Sequence, residues 1–375
     1  MSGPPNFSQG YPPPFTPPPA PQPAVPMWAY PPPPRAGAFR WFLRGLGLLI
    51  LIGSVLLNVG LIIALTATAE AGSRSNVEMD RTVLRGGHDH EVVAVYRLYG
   101  GIDEEAADRF RQFYRDTIDD GNVRAVVIRV DSPGGGAAAS DQIHAMVRDL
   151  QTPGGKKVVV SMGSVAASGG YYVSASADEI YAEHNTITGS VGVIMAWLVI
   201  KGTLDKIGME AMVIKSQDAA GWKDAISGFK RPDERQEAAL RGLLDTVHKR
   251  FVQVVREGRG DRLKTRQDTY MVSVGEGLDA HLEQRTDTVP LNGQVFMADE
   301  ALELGLVDAI GYEDAAITRA GELAALAKPK VVIYEPHRGF LARMLESRGP
   351  TGVKIGPELL DDLQTPRVLL MWKVD

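Results

Sequence analysis

An α/β domain built on a layered parallel sheet is the fold class that this 375-residue sequence predicts. Three observations carry it. Near-continuous apolar runs such as VRAVVIRV (123–130) and KKVVVSM (156–162) fit strands buried on both faces, where alternation is lost. Stretches of helical character, at 103–117 and 138–150, alternate with them. A composition of 44% apolar and 23% charged residues suffices for a sizeable core.

Taken in chain order, the first 34 residues hold 15 of the 24 prolines. Proline removes backbone donors, and such a segment cannot bury enough to fold. Residues 1–40 are expected to be a disordered, polyproline-II-leaning tail, either a spacer or a docking site for a proline-motif-binding partner. Gly45 to Ala67 then runs without a charge, about 34 Å as a helix. Arg35, Arg40 and Arg44 precede it and Glu70 is the first charge after it. The positive-inside rule predicts a single-pass anchor in the cell membrane at 45–67, touching lipid, with the tail cytoplasmic and the remainder outside. The alternative is a cleaved signal peptide, with small residues in ALTATAEA (64–71) as a cleavage region. Residues 70–91 are polar and read as a linker.

The domain proper is expected over 92–335. VVAVYRLY (92–99) is its first strand, and Asp103 caps a helix to about Thr117. The strand at 123–130 ends in DSPGGG (131–136), and a helix follows to Leu150. After the strand at 156–162, the small-residue stretch 163–177 predicts the start of a buried helix. DEIYAE (178–183), SVGVIM (190–195), MEAMVIKS (209–216) and KVVIYEP (330–336) predict further strands. Helices are predicted at 198–208, 232–257, 298–305 and 312–327. Residues 336–375 form an extension ending in the apolar run VLLMWKV (368–374), a subunit contact or a core strand.

Charge and cysteine content exclude several classes of function. The net charge is −6, with +3 on residues 1–69 and therefore −9 on the rest. Nucleic-acid binding is not expected from that balance, because phosphate neutralisation needs a basic face. The absence of cysteine excludes disulfides, thiol nucleophiles and cysteine metal sites. In DSPGGG, Pro133 and three glycines can aim bare N–H groups at an anion. No Gly-Lys-Ser/Thr follows, so a P-loop is excluded, and a plain tight turn stays open. Ser168 lies in VAASGGYY, where small neighbours let a substrate backbone approach. At a helix start it would sit beside free N–H groups, and Gly169 with the glycine loop could form an oxyanion hole. The alternative is a serine that merely packs helix on sheet. Position 166 is Ala, so this is not the G-x-S-x-G elbow.

A nucleophilic serine needs a base. None of the seven histidines lies in a glycine-rich, small-residue setting; His88 and His90, flanking Asp89, read as surface residues and as a weak metal signal. A lysine base must be held neutral by burial. Lys223 in AGWKDAIS and Lys215 in VIKSQ are both candidates, and pattern alone does not choose.

Six segments in order do choose: RVDSPGGG (129–136), SMGSVAASGGYYVSASADEIYA (161–182), TITGSVGVI (186–194), KSQDAAGWKDA (215–225), FVQVVREGRG (251–260) and GQVFMADEALELGLVDAIG (293–311). On these, the chain from about Val92 to Val332 resembles the signal peptide peptidase A (SppA) family of membrane-anchored serine proteases, peptidase family S49, in its short single-domain form. The resemblance implies a Ser–Lys dyad of Ser168 and Lys223, with Ser190 holding the lysine and Gly135 and Gly169 as the oxyanion hole. Asp131 stands where the family usually has asparagine. A crotonase/ClpP-like fold of repeated ββα units is implied, as is a homo-oligomer of about eight copies whose neighbours complete the sites. Implied substrates are remnant signal peptides, cleaved by acyl transfer to serine and hydrolysis, with no cofactor and no metal. Two rival readings are an acyl-CoA enzyme sharing the two-amide hole, and a non-catalytic membrane scaffold recruiting partners through the proline-rich tail.

Overall fold

The computed structural model describes residues 41, 45–61, 79–274, 281–337 and 367–371. The chain divides into a unit up to Gly72 and a unit from Ser73. In the first unit, residues 45–61 are helical and exposed. Among the described residues no helix is long and apolar enough to cross a membrane. That finding overturns the single-pass membrane placement, and with it the cytoplasmic tail and outward domain inferred from it. The described helix has 17 residues, about 26 Å against ~30 Å of hydrocarbon. The proline-rich stretch 1–40 lies outside the described residues.

The second unit opens with β1 (Met79–Arg85), β2 (His88–Tyr99), α1 (Glu104–Ile118), β3 (Val123–Ser132), β4 (Gly134–Gly136) and α2 (Ala137–Gln151). Next come β5 (Lys157–Ala167), α3 (Gly169–Ser174), β6 (Glu179–Ala182), β7 (Ile187–Gly189), β8 (Ile194–Ala196), α4 (Lys201–Lys206) and α5 (Glu234–Arg259). The rest is β9 (Arg266–Val274), β10 (His281–Val289), β11 (Val295–Met297), α6 (Ala298–Glu303), β12 (Ala309–Ile310), α7 (Glu313–Leu323), β13 (Pro329–Pro336) and β14 (Arg367–Met371).

The main sheet runs β1-β13-β2-β3-β5-β6-β12. From β13 to β12 every neighbouring pair is parallel, and β1 is antiparallel to β13. Helices cover both faces. Tyr96, Val126, Ile128 and Val160 pack on one side in a cluster with Phe110, Phe113, Ile143 and Val147 of α1 and α2. Val93, Val95, Val127 and Val159 pack on the other in a cluster with Ala316, Ile317 and Ala320 of α7. Burial on both faces is why these strands read as continuous apolar runs. Asp103 caps α1 as its sequence predicts, accepting the Ala106 N–H at 2.8 Å. A capping box between Asp233 and Gln236 starts α5. The far end of α5 is tied by Arg259, which is buried, donates to Asp308 at 2.7 and 3.0 Å and to Gly305 O at 2.9 Å.

The sheet forks along β5. Val159–Met162 pair with β6, whereas Val165–Ala167 pair with β7, which in turn pairs antiparallel with β11. The stretch 163–177, predicted as helix, is therefore strand to Ala167, and helix only at Gly169–Ser174. Asp131 accepts the Val165 N–H at 3.1 Å across the bulge between β3 and β5, holding the chain extended there. The strand predicted at 209–216 does not form. Met212 and Ile214 are 86% and 88% exposed, and no neighbouring strand offers a ladder. SVGVIM is not one strand either; β7 ends at Gly189 and β8 begins at Ile194. β1 and the start of β2 occupy part of the expected linker, and the β9–β10 hairpin has no counterpart among the predicted elements.

Candidate active site

Ser168 joins the end of β5 to the first turn of α3. Its backbone lies at φ 53°, ψ −113°, in a region that costs a non-glycine residue about 1–3 kcal/mol. The strain is held in place from both sides. The Ser168 N–H donates to Gly189 O at 2.8 Å, and Ser168 O accepts from the Tyr172 N–H at 2.8 Å. The residue is fully buried, and its Oγ has no hydrogen-bond partner among the described residues. Buried polar groups are normally paired, so an orphaned hydroxyl on a strained strand-to-helix turn calls for a functional explanation. The turn has the strand–turn–helix geometry of a nucleophile elbow, although the sequence lacks that motif.

The glycine loop lies against it. Ser132 Oγ accepts the Gly134 N–H at 3.1 Å, and Ser140 Oγ donates to Gly136 O at 3.0 Å. Ile102 then clamps the loop, donating to Gly134 O at 2.9 Å and accepting from Gly136 N at 2.7 Å. Gly135 N–H takes no part in that clamp. A Cβ placed on Gly169 would lie 3.1 Å from Gly135 N, so the two glycines expected to form the oxyanion hole are brought together beside Ser168. β14 runs antiparallel between β4 and β8, with Leu370 opposite Gly135 and Leu369 opposite Ile194. The C-terminal apolar run is thus a strand laid along the glycine loop within one chain.

Ser190 is buried, also at positive φ (52°), and its N–H donates to Gln294 O at 2.6 Å. It directly follows Gly189, which accepts from Ser168, so both serines share one backbone junction. Lys223 is not brought to Ser168. It is exposed on the turn at 220–226, and no hydrogen bond or ion pair joins it to Ser168 among the described residues. Lys215 is engaged elsewhere, donating to Asp224 at 2.6 Å, and Lys230 approaches the same carboxylate at 3.3 Å. Hydrogen bonding from Lys215 holds the Asp224 carboxyl below its ordinary range. Gln236 pins this loop to α5 through Gly221 O at 2.7 Å.

Among the described residues no histidine is hydrogen-bonded to Ser168 Oγ. His144 is buried behind α3, with Nδ1 3.3 Å from Ser176 Oγ and its ring edge-on to Tyr172. Burial pushes it down to about 4. His248 Nε2 sits between two carbonyls, Val191 O at 3.1 Å and Leu291 O at 3.0 Å, so that nitrogen is a donor. The positioning groups that the sequence did not reveal are Ser132, Ser140, Ile102 and Gly189. Ser132 alone had a local signal, a serine two residues ahead of a glycine, as side-chain turns favour.

Comparison with known proteins gives a consistent picture. The model for peptidase family S49 matches residues 151–269. Protease 4 of Haemophilus influenzae is 36% identical over 238 residues, which is 62% of this chain and 34% of that protein. A Synechocystis sp. relative is 33% identical over 215 residues, covering 57% of this chain and 68% of its own length. The chain therefore spans only about a third of the H. influenzae protein it matches. A solved ClpP1 mutant from Listeria monocytogenes aligns at 15% identity over 60% of this chain and 94% of its own, with a TM-score of 0.34.

Proposed function

Because the chain belongs to peptidase family S49, we propose that it is a serine endopeptidase working through a Ser–Lys dyad of Ser168 and Lys223, the lysine supplied by a neighbouring copy. The observation that carries this reading is the buried, strained and unpartnered Ser168 hydroxyl beside Gly135 and Gly169. Association between copies is supported by the surface that bears Lys223. Leu198, Met212, Ile214, Trp222 and Phe229 are all exposed there, and large apolar patches mark interaction surfaces. Closure of that surface would remove water from the amine, which favours the neutral form a base requires. Ser190 holds the arriving lysine. β14 supports a peptide substrate, since an extended backbone fits between β4 and β8, where a substrate strand would take the place of β14. The substrates proposed are remnant signal peptides, on a crotonase/ClpP-like scaffold.

The chemistry is acyl transfer. Neutral Lys223 Nζ takes the Ser168 proton as Oγ bonds to the peptide carbonyl carbon. The Gly135 and Gly169 N–H groups donate to the resulting oxyanion, each such donor being worth about 10²–10³ in rate. Collapse breaks the C–N bond, and the lysine ammonium returns the proton to the leaving amine. Water, deprotonated by the same lysine, then hydrolyses the acyl-serine.

The test is covalent labelling by a fluorophosphonate, read by intact mass, for the wild type, Ser168→Ala and Lys223→Ala. Wild type alone is expected to label. A mixture of the two variants is expected to regain labelling, because one copy supplies the serine and another the lysine. A folded, self-associated wild type that does not label would overturn the reading.

A further inference from the structure

The start of β2 carries a cluster that the peptidase chemistry does not use. In the ladder between β2 and β13, His88 pairs with Pro329 and Val92 with Lys330, so Asp89, His90 and Glu91 bulge out against a single step of the partner strand. Bulges re-aim side chains, and this one sorts them. The Asp89 carboxylate turns to Lys330 Nζ at 2.7 Å. The Glu91 carboxylate is fixed by the Lys328 N–H at 2.9 Å, and its Oε2 lies 3.2 Å from His88 Nδ1. The His88 and His90 rings stack nearly parallel, with centroids 5.5 Å apart. One ligating atom from each of His88, His90 and Glu91 falls within 4.8 Å of the others.

We propose that His88, His90 and Glu91 form a binding site for a borderline divalent transition metal of the zinc class. Two imidazole nitrogens and one carboxylate oxygen are a zinc-type donor set with the fourth position open to water. Magnesium and calcium prefer oxygen ligands throughout. The Lys328 N–H on Glu91 is the outer hydrogen bond that orients a ligating carboxylate. His88 and His90 are exposed, which leaves an ion free access. β2 extends roughly 36 Å from this cluster to the Gly100–Ile102 turn that leads to the glycine loop. The ion thus has a structural role at the start of β2, far from Ser168, where Glu91 already holds the segment ahead of β13 through the Lys328 N–H.

The experiment is calorimetric titration of the full-length chain, dialysed against chelator, with zinc chloride. One equivalent is expected per chain, with MgCl2 giving no heat. His88→Ala and His90→Ala are each expected to weaken zinc binding at least about 10-fold, whereas Asp89→Asn leaves it within about 3-fold. These positions are exposed, and circular dichroism checks that each variant is folded. No zinc binding by the wild type, or binding unchanged in His88→Ala or His90→Ala, would overturn the site.

Discussion

Gly135→Ala is the sharpest test of the oxyanion loop. A Cβ at this position would lie 2.1 Å from Ile102 O, 2.6 Å from Ile102 N and 2.7 Å from Ile102 C. All three are backbone atoms, so no side chain can rotate out of the way. Reaching ordinary contact requires the loop or the Ile102 turn to retreat by roughly 1.3 Å, and a retreat of the loop displaces Gly135 N–H from its position beside Gly169. A displacement of about 1 Å costs about 10²-fold in a preorganised site, and loss of the donor outright about 10²–10³-fold. Overpacking adds about 1–3 kcal/mol of destabilisation. Gly136→Ala is the matched control, because its nearest would-be contact is at 3.6 Å and its φ is −62°. The assay is the second-order rate of fluorophosphonate labelling at Ser168, with thermal unfolding alongside. The expected result is a loss of at least about 10²-fold for Gly135→Ala, with Gly136→Ala within a few-fold of wild type. A folded Gly135→Ala protein labelling at the wild-type rate would refute the placement of the hole.

Three further outcomes are expected. Ser168→Gly should be inert to the probe yet more stable by about 1–2 kcal/mol in urea unfolding, since relief of backbone strain and of an orphaned hydroxyl outweighs glycine's entropy. Asp308→Ala should destabilise by about 3–5 kcal/mol, because it leaves the buried Arg259 guanidinium unpaired; Lys157→Ala, which breaks the exposed pair with Asp178, should cost under about 1 kcal/mol. Burial lowers the pKa of His144 to about 4 in the fold, against 6.5 for an exposed imidazole, so between those values the unfolded chain binds the extra proton. Full stability is present above pH 6.5 and is lost as pH falls toward 4, about 2 kcal/mol of it between pH 7 and pH 5. His144→Gln should flatten that slope in urea titrations at the two pH values.

What the sequence disclosed follows from the kind of force involved. The buried strands at 123–130 and 156–162 were legible because burial on both faces writes a continuous apolar run. The cap at Asp103 was legible because it is local. β1 and the β9–β10 hairpin were not, since their mostly exposed side chains leave no periodic signal; β1 is ordered by a ladder with distant β13, and β9 and β10 only by each other. At the site, the family resemblance pointed to Ser168, Gly135 and Gly169, and the fold gathers them. The left-handed turn at Ser168 and the Ile102 clamp are backbone events with no residue signature. Lys223 illustrates the remaining gap. The pattern left it level with Lys215 and the resemblance chose it, but within one chain Arg235 lies over the neighbouring Trp222 ring and Lys223 is exposed.

The fork in β5 governs how tolerant the centre is of change. One edge of a strand can serve a single neighbour at each residue, so exchanging β6 for β7 between Met162 and Val165 forces the two ladders to diverge. Ser168 is the first residue after β5, directly beyond the branch that β7 pairs. Its coordinates are therefore fixed redundantly, by β3 on one side and by β7 with its partner β11 on the other. Insertions in the 183–186 connection between β6 and β7 would alter one branch while the other still defines the nucleophile. New loops can be added around this junction without resetting the chemistry, which makes it the natural place to graft altered substrate preference.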